Sequence, residues 1–220
     1  MPNEHNSLPL FPLPNVVLFP GMSLPLHIFE EKYKKMISNC LESNKQFGIV
    51  YTKGKMCAEI GTIAEIIDVE KLNDGRMNIL TEGKRRFKIL KILTEEPYHE
   101  ASVQELIDEE IQIDKNLKKL IKEIKTLSSR ALKLFDKIFN DKISKKLKLP
   151  DEPNELLFLV SANLTCPHES KQEILETKSI TDRINKVFPL LKSEIERLEV
   201  LLENKETKDE VIKNGKLDVS

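Results

Sequence analysis

The sequence predicts an α+β fold, a β-rich N-terminal module followed by a helical bundle. Three observations point there. Six of the seven glycines lie at or before Gly83, and six of the eleven prolines lie at or before Pro25. No glycine occurs between residues 84 and 214. Beyond about residue 110 the apolar spacing changes from strand-like to helical. Glycine and proline punctuate strands and turns and are disfavoured within helices. The division expected is therefore a β-rich module over 1–110, a helical bundle over 111–204 and a polar, frayed tail over 205–220.

The opening run Leu8-Pro9-Leu10-Phe11-Pro12-Leu13-Pro14 is apolar but cannot be helical. Each proline lacks a backbone donor and biases its predecessor toward extended geometry. The run predicts an edge strand. Val16–Phe19 and Leu24–Phe29 are further short extended stretches, and Pro20-Gly21 is a turn. In 30–41, Tyr33, Met36, Ile37, Cys40 and Leu41 fall on one helical face, with Glu31, Lys32, Lys34 and Lys35 opposite. Gln46–Tyr51 is strand-like, and Lys53-Gly54-Lys55 is a turn. Asn73-Asp74-Gly75 is a hairpin signal between Ile60–Leu72 and Arg76–Glu82. Strict alternation fails within Ile60–Leu72, which predicts a bulge. Lys84–Leu93 and Tyr98–Ile107 complete a set of short strands suited to a barrel or sandwich.

In the second part, Ile113, Leu117, Leu120, Ile121 and Ile124 form one helical face. Ala131, Leu134, Phe135, Ile138 and Phe139 form the next, and the two read as two helices. Pro150–Asn154 breaks the chain before a helix over Glu155–Leu164. A short helix follows over Glu169–Glu176. The last helix, capped near Ser179–Thr181, carries the stripe Ile184, Val187, Phe188, Leu191, Ile195, Leu198 and Leu202. Pro189 lies within it and is expected to kink or shorten it. These apolar faces need partners, and packing against one another satisfies them.

Composition narrows function more by exclusion than by assignment. The net charge is −1, so no global field favours nucleic acid or an anionic membrane. Tryptophan is absent and aromatics are 5% of residues, which leaves base-stacking platforms poorly supplied. Cys40, Cys57 and Cys166 form no Cys-x-x-Cys pair and read as reduced thiols. His5, His27, His99 and His168 show no metal-ligand spacing. No phosphate-binding glycine loop and no nucleophile elbow is present. Neither a cofactor nor a metal is implied. Met1–Ser7 is polar and no window approaches about 18 apolar residues, so a cytoplasmic, membrane-free protein is expected.

Charge is nonetheless uneven. Residues 95–110 carry seven acids and no Lys or Arg, whereas 111–150 carry twelve Lys/Arg against four acids. The basic residues read first as solvated helix backs and second as a contact surface for an acidic partner. Lys84, Arg85 and Arg86 form a basic patch that could touch phosphate or discourage edge pairing.

Several segments in order resemble the N-terminal domain of Lon-family proteases. They are Leu8–Gly21 with Leu24–Glu30, Gly61-Thr62-Ile63-Ala64-Glu65-Ile66, Asp74–Phe87 with its Gly83-x-x-Arg86 step, Lys171–Glu176, and Asp182-Arg183-Ile184. The resemblance covers about 8–203. It implies a PUA-like β pseudo-barrel with one helix, followed by a helical bundle. It also implies a substrate-recognition role without the ATPase or the Ser-Lys peptidase of full-length Lon. The function expected is a non-catalytic protein- or peptide-binding module, an adaptor in protein quality control. Its partners would be unfolded or specific client proteins and a protease or chaperone. The candidate peptide-binding edge is Leu10, Phe11, Leu13 and Phe19, by strand addition; the competing use of these side chains is to fill the barrel. Glu31, Lys32 and Lys35 form a candidate polar helix face. RNA binding is the alternative function, with the basic patch Lys84, Arg85 and Arg86, the run on to Lys88 and the basic helices as its footprint. A tryptophan-caged ligand site, present in related eukaryotic domains, cannot form here.

Overall fold

A computed structural model describes residues 7–54, 56–110 and 114–215, with side chains through 208. Ile113, expected on the first bundle face, and Lys55, expected in a turn, lie outside the described residues. Seven strands come first, with one helix among them: β1 (Ser7–Leu13), β2 (Ser23–Ile28), α1 (Glu31–Leu41), β3 (Gln46–Lys53), β4 (Met56–Cys57), β5 (Ile60–Lys71), β6 (Met77–Thr94) and β7 (Glu100–Glu105). Five helices follow: α2 (Lys115–Phe139), α3 (Ile143–Lys146), α4 (Pro153–Asn163), α5 (His168–Glu176) and α6 (Ile180–Gly215). The α+β class and its order agree with the sequence reading.

The sheet runs β1-β7-β6-β5-β3-β4, and β1 also pairs in parallel with β3. That second pairing closes β1, β7, β6, β5 and β3 into a ring. β6 is the backbone of the sheet. Its first half pairs with β2, its second half with β7, and β5 lies along its other side. The sequence divided β6 in two at Gly83, but the strand continues through it. A side chain at Gly83 would put its Cβ 2.3 Å from the Phe19 carbonyl oxygen. Glycine is therefore required there for close backbone approach, not for a break. The expected bulge in β5 is present, with register slips between Thr62 and Ala64 and between Ile66 and Asp68.

β1 is not a free edge. Ser7–Pro9 pair with β7 and Leu10–Leu13 pair with β3. Proline is tolerated because each half of the strand is bonded along one side only. Val16–Phe19, expected as a strand, is irregular chain that crosses toward the helices.

Three apolar clusters hold the molecule. One lies under α1 and includes Phe11, Leu18, Ile28, Met36, Ile37 and Phe47. A second fills the far end of the ring with Leu8, Leu10, Val50, Ile63, Phe87 and Ala101. The third joins Val17 and Phe19 to the helices through Leu156, Phe158, Ile184, Val187 and Leu191. The sheet and the bundle thus share one core across their seam. Burying a side chain such as Phe19 there stabilises the join by about 1.5–3 kcal/mol.

The helices differ from the sequence reading in two places. α2 is one helix where two faces suggested two. α6 continues through Pro189 to Gly215, so the expected frayed tail is helical to that point. Lys205, at the start of that expected tail, donates to the carbonyls of Lys137 (3.0 Å) and Ile138 (2.7 Å). A cation on the last carbonyls of α2 is a favourable helix terminus. With Arg130 bonded to Glu199, these contacts set α2 and α6 side by side in parallel.

Gly83→Ala is expected to cost about 1–3 kcal/mol, read as a lower urea midpoint at unchanged slope. An unaltered midpoint would mean that β6 can move away from Phe19.

Candidate functional site

The seam between sheet and bundle is fixed by charge as well as by packing. Arg86 on β6 and Arg183 on α6 both bond Asp108, which lies just after β7. Arg86 also donates to the carbonyls of Leu175 (2.6 Å) and Thr177 (2.8 Å). Arg183 donates to Asn154 and to the Thr177 carbonyl. Both guanidiniums stack on Phe158, at 5.4 and 4.5 Å from its ring centre. Arg183 is 0% exposed. Burial pulls the Arg86 guanidinium below its ordinary value, and Arg183 adds to that, while Asp108 opposes both. The helix positions on either side of this node are therefore held to the sheet by named bonds.

A shallow hollow lies at the seam itself, beside Thr177 and Glu109, and two further concavities lie nearby. One is a cleft of about 930 Å³ between the sheet and α4, with Gln46, Glu65, Glu82, Lys84, Glu152 and Asn154 on its walls. Its lysine is engaged, since Lys84 lies 2.9 Å from Glu82 and 3.7 Å from Glu65. The other is an apolar groove of about 240 Å³ in the bundle, lined by Leu132, Phe135, Ile143, Leu147, Leu149 and Leu159. Asn163, Thr165, Glu194 and Arg197 are its polar wall. The groove exists because α3 is held away from α4. Asp136 accepts from the backbone N–H of Ile143 (2.8 Å) and of Ser144 (3.0 Å), and from the Ser144 hydroxyl. These bonds, the hydroxyl first, hold the Asp136 carboxyl below its ordinary value. Leu147, 38% exposed, opens the groove to solvent.

The candidate edge residues lie elsewhere. Leu10, Phe11 and Phe19 are 2%, 7% and 0% exposed, and Leu13 is half-buried against the cluster under α1. The prolines suggest an exposed edge, but inward side chains and pairing to β3 and β7 use the run structurally, which is the competing use given above for all but Phe19. Phe19 does not even fill the ring; it packs 6.0 Å from Phe158 at the seam. Glu31, Lys32 and Lys35 are exposed on α1. Glu31 pairs with Lys34 at 2.8 Å and Lys32 with Glu30 at 3.3 Å, so this face is partly self-neutralised. The basic patch is divided. Arg86 is buried at the seam, Lys84 lies between acids, and only Arg85 is exposed, 3.4 Å from Glu105. Neighbours in a strand point to opposite faces, and here the second face is covered by helices.

The groove was not foreseen. Its only signal is a set of apolar residues, Ile143, Leu147 and Leu149, inside a lysine-rich run. The seam was half visible, because Arg86 and Arg183 are the arginines of the two Lon-like segments quoted above. Their shared partner Asp108 had no such mark.

The family model for the ATP-dependent protease La (LON) substrate-binding domain matches residues 7–193. The chain belongs to this family. As a Lon substrate-binding domain it is similar to the Lon protease of Cytophaga hutchinsonii, 29% identical over 202 residues, and to Lon protease 1 of Hydrogenovibrio crunogenus, 30% identical over 195 residues. These alignments cover 88% and 85% of the chain but 25% and 24% of those proteins. The chain thus spans about a quarter of the length of the curated relatives it matches. Two solved structures share the fold. The N-terminal domain of Mycobacterium avium complex Lon protease superposes with a TM-score of 0.68 at 20% identity, over 85% of this chain and 98% of that one. The Lon N-terminal domain protein from Xanthomonas campestris gives 0.64 at 20% identity, over 84% and 98%. What matches is a substrate-binding domain. Among the described residues no helix is long and apolar enough to cross a membrane.

Two outcomes test this geometry. Asp108→Ala leaves two buried guanidiniums without their carboxylate and is expected to cost about 3 kcal/mol, measured by urea unfolding. Asp136→Asn is expected to lower the melting temperature at pH 7. A carboxyl held below its ordinary value adds stability above its unfolded-state pKa of about 3.9 and loses it as pH falls through the folded value. The gap between parent and variant should therefore close below about pH 4; a gap that persists there would show that Asp136 acts through something other than its charge.

Proposed function

We propose that this domain captures protein segments with exposed apolar side chains and carries no cutting chemistry of its own. The observation that carries the reading is the solvent-open apolar groove between α2, α3, α4 and α6, in a member of a substrate-binding domain family. Apolar side chains of an unfolded client gain by leaving water for such a surface. The bonds from Asp136 to the start of α3 keep the groove formed before a client arrives, which lowers the ordering cost of binding. Captured clients would then be passed to a protease or chaperone, the adaptor role in protein quality control. The setting proposed is the cytoplasm. The RNA reading loses the β6 part of its footprint, because Arg86 is buried and Lys84 is paired with acids, and it rests now on the basic helices alone.

The test is fluorescence anisotropy with a labelled, permanently unfolded protein such as reduced and carboxymethylated lactalbumin. The parent is expected to bind in the range of about 10 μM (near −7 kcal/mol). Leu147→Asp should weaken binding at least about tenfold, or 1.4 kcal/mol, at an unchanged melting temperature, since Leu147 is already partly exposed. No binding by the parent up to about 200 μM, or full binding by the folded variant, would overturn the groove as the client site.

A further inference from the structure

The groove has an asymmetric rim. From residue 133 to 148 the chain carries six lysines and two acids. Asp136 is engaged by Ile143 and Ser144, and Asp141 accepts from the Lys142 N–H at 2.7 Å. Among the described residues, Lys133, Lys137, Lys142, Lys145, Lys146 and Lys148 belong to no ion pair. Lys145, Lys146 and Lys148 alternate in sequence with the groove residues Leu147 and Leu149, and all three are exposed. The opposite wall is neutral, because Arg197 and Glu194 are bonded to each other. Lys145 also faces the Asp136 carboxylate and Lys148 that of Asp151, but with six lysines against two acids over 133–148 the net charge beside this apolar hollow is positive. Elsewhere on the molecule the pattern differs, since the larger cleft has acids on its walls and its lysine is paired.

The volume limits the occupant too. About 240 Å³ lies below the ~300–1,000 Å³ typical of small-molecule sites. It has room for a large apolar side chain rather than for a folded element.

We infer that the groove selects peptides in which a branched or aromatic side chain is flanked by Asp or Glu. This deepens the client-capture reading and rests on it. The apolar side chain fills the hollow, and the flanking carboxylates lie against the lysines of 142–148. Such complementarity raises the association rate and rejects basic segments. It is exposed to solvent, so salt weakens it.

The probes are three labelled twelve-residue peptides with one central Leu-Phe pair and flanks of Asp/Glu, Ser or Lys. Anisotropy titrations use the full chain. At about 30 mM salt the acidic peptide is expected to bind at least tenfold tighter than the lysine peptide, and the gap should shrink to about threefold or less at 0.5 M. The triple variant Lys145→Glu, Lys146→Glu, Lys148→Glu should reverse the order. The milder Lys→Gln triple should abolish it and guards against a fold defect in the first. Equal affinities for all three peptides, with binding lost in Leu147→Asp, would overturn the charge selection and leave the groove reading standing. Binding that survives Leu147→Asp would remove both. Sedimentation equilibrium closes the remaining route. The chain has its own acidic segment at 95–110, close in sequence to the exposed Leu90, Ile92 and Leu93. A dimer that dissociates in the Lys→Glu triple would make a second copy the occupant and overturn the peptide proposal.

Discussion

Two guanidiniums share one carboxylate at the seam, and the relation of sheet to bundle depends on that node. Arg86 comes from the longest strand, Arg183 from the longest helix, and Asp108 from the segment that leads from one part to the other. A buried pair of like charges is unfavourable unless each has a counter-charge and its remaining donors are satisfied. Here the carbonyls of Leu175 and Thr177, the amide of Asn154 and the face of Phe158 take up what Asp108 leaves. Apolar packing alone could slide. Directed bonds from two elements to the ends of α4, α5 and α6 set one docking geometry. The Nε of Arg183 is the one fully buried side-chain group of the node left without a partner among the described residues.

That geometry decides which surfaces remain for function. Once Phe19 and Phe158 meet at the seam, α4 is fixed by its buried face, and its opposite face borders the groove through Leu159 and Asn163. α2 and α6 run parallel, tied at Arg130–Glu199 and at Lys205, so α3 has to close the gap beyond the end of α2. It does so incompletely. Four residues of helix, pinned by Asp136, leave the apolar side chains of 143–149 facing a space they do not fill. The groove is thus a consequence of topology, of a single carboxylate and of the irregular chain after α3 that carries Leu147 and Leu149.

Much of the fold was legible in the sequence because glycine, proline and apolar period act locally. The bulge in β5, helix α1, the turn at Asn73–Gly75 and the α4 start after Pro150 all follow from such signals. The errors share a cause. Proline leaves Leu10, Phe11 and Phe19 two readings, a surface edge or barrel filling, and which holds depends on which strands close the ring; β1–β3 pairing is a long-range fact. Arg86 was placed in an exposed patch because its neighbours are Lys84 and Arg85. Only the bundle, packed on the second face of β6, buries it. The groove left almost no trace, since its lining is spread over four helices from Ser128 to Arg197. What local patterns cannot carry is the identity of the partner across a contact, and both the seam and the groove are made of such partners.

The same topology favours one mode of recognition over another. Strand addition needs a sheet edge with free donors and acceptors. β1 is engaged with β7 and β3. Among the described residues β2 pairs only with β6, and Pro25 sits in its middle and interrupts the row of donors on its other side. Main-chain pairing, which is indifferent to side-chain identity, is thus obstructed at β1 and β2, and the end strand β4 is only two residues long. The helical groove offers the opposite, a place for a side chain and little for a backbone. Capture by side chain selects for exposed apolar residues, and folded proteins keep most of their large apolar side chains inside. In the reading proposed above, such a domain would distinguish unfolded from folded protein without needing to read a sequence, and the lysines of 142–148 would add a preference within that set.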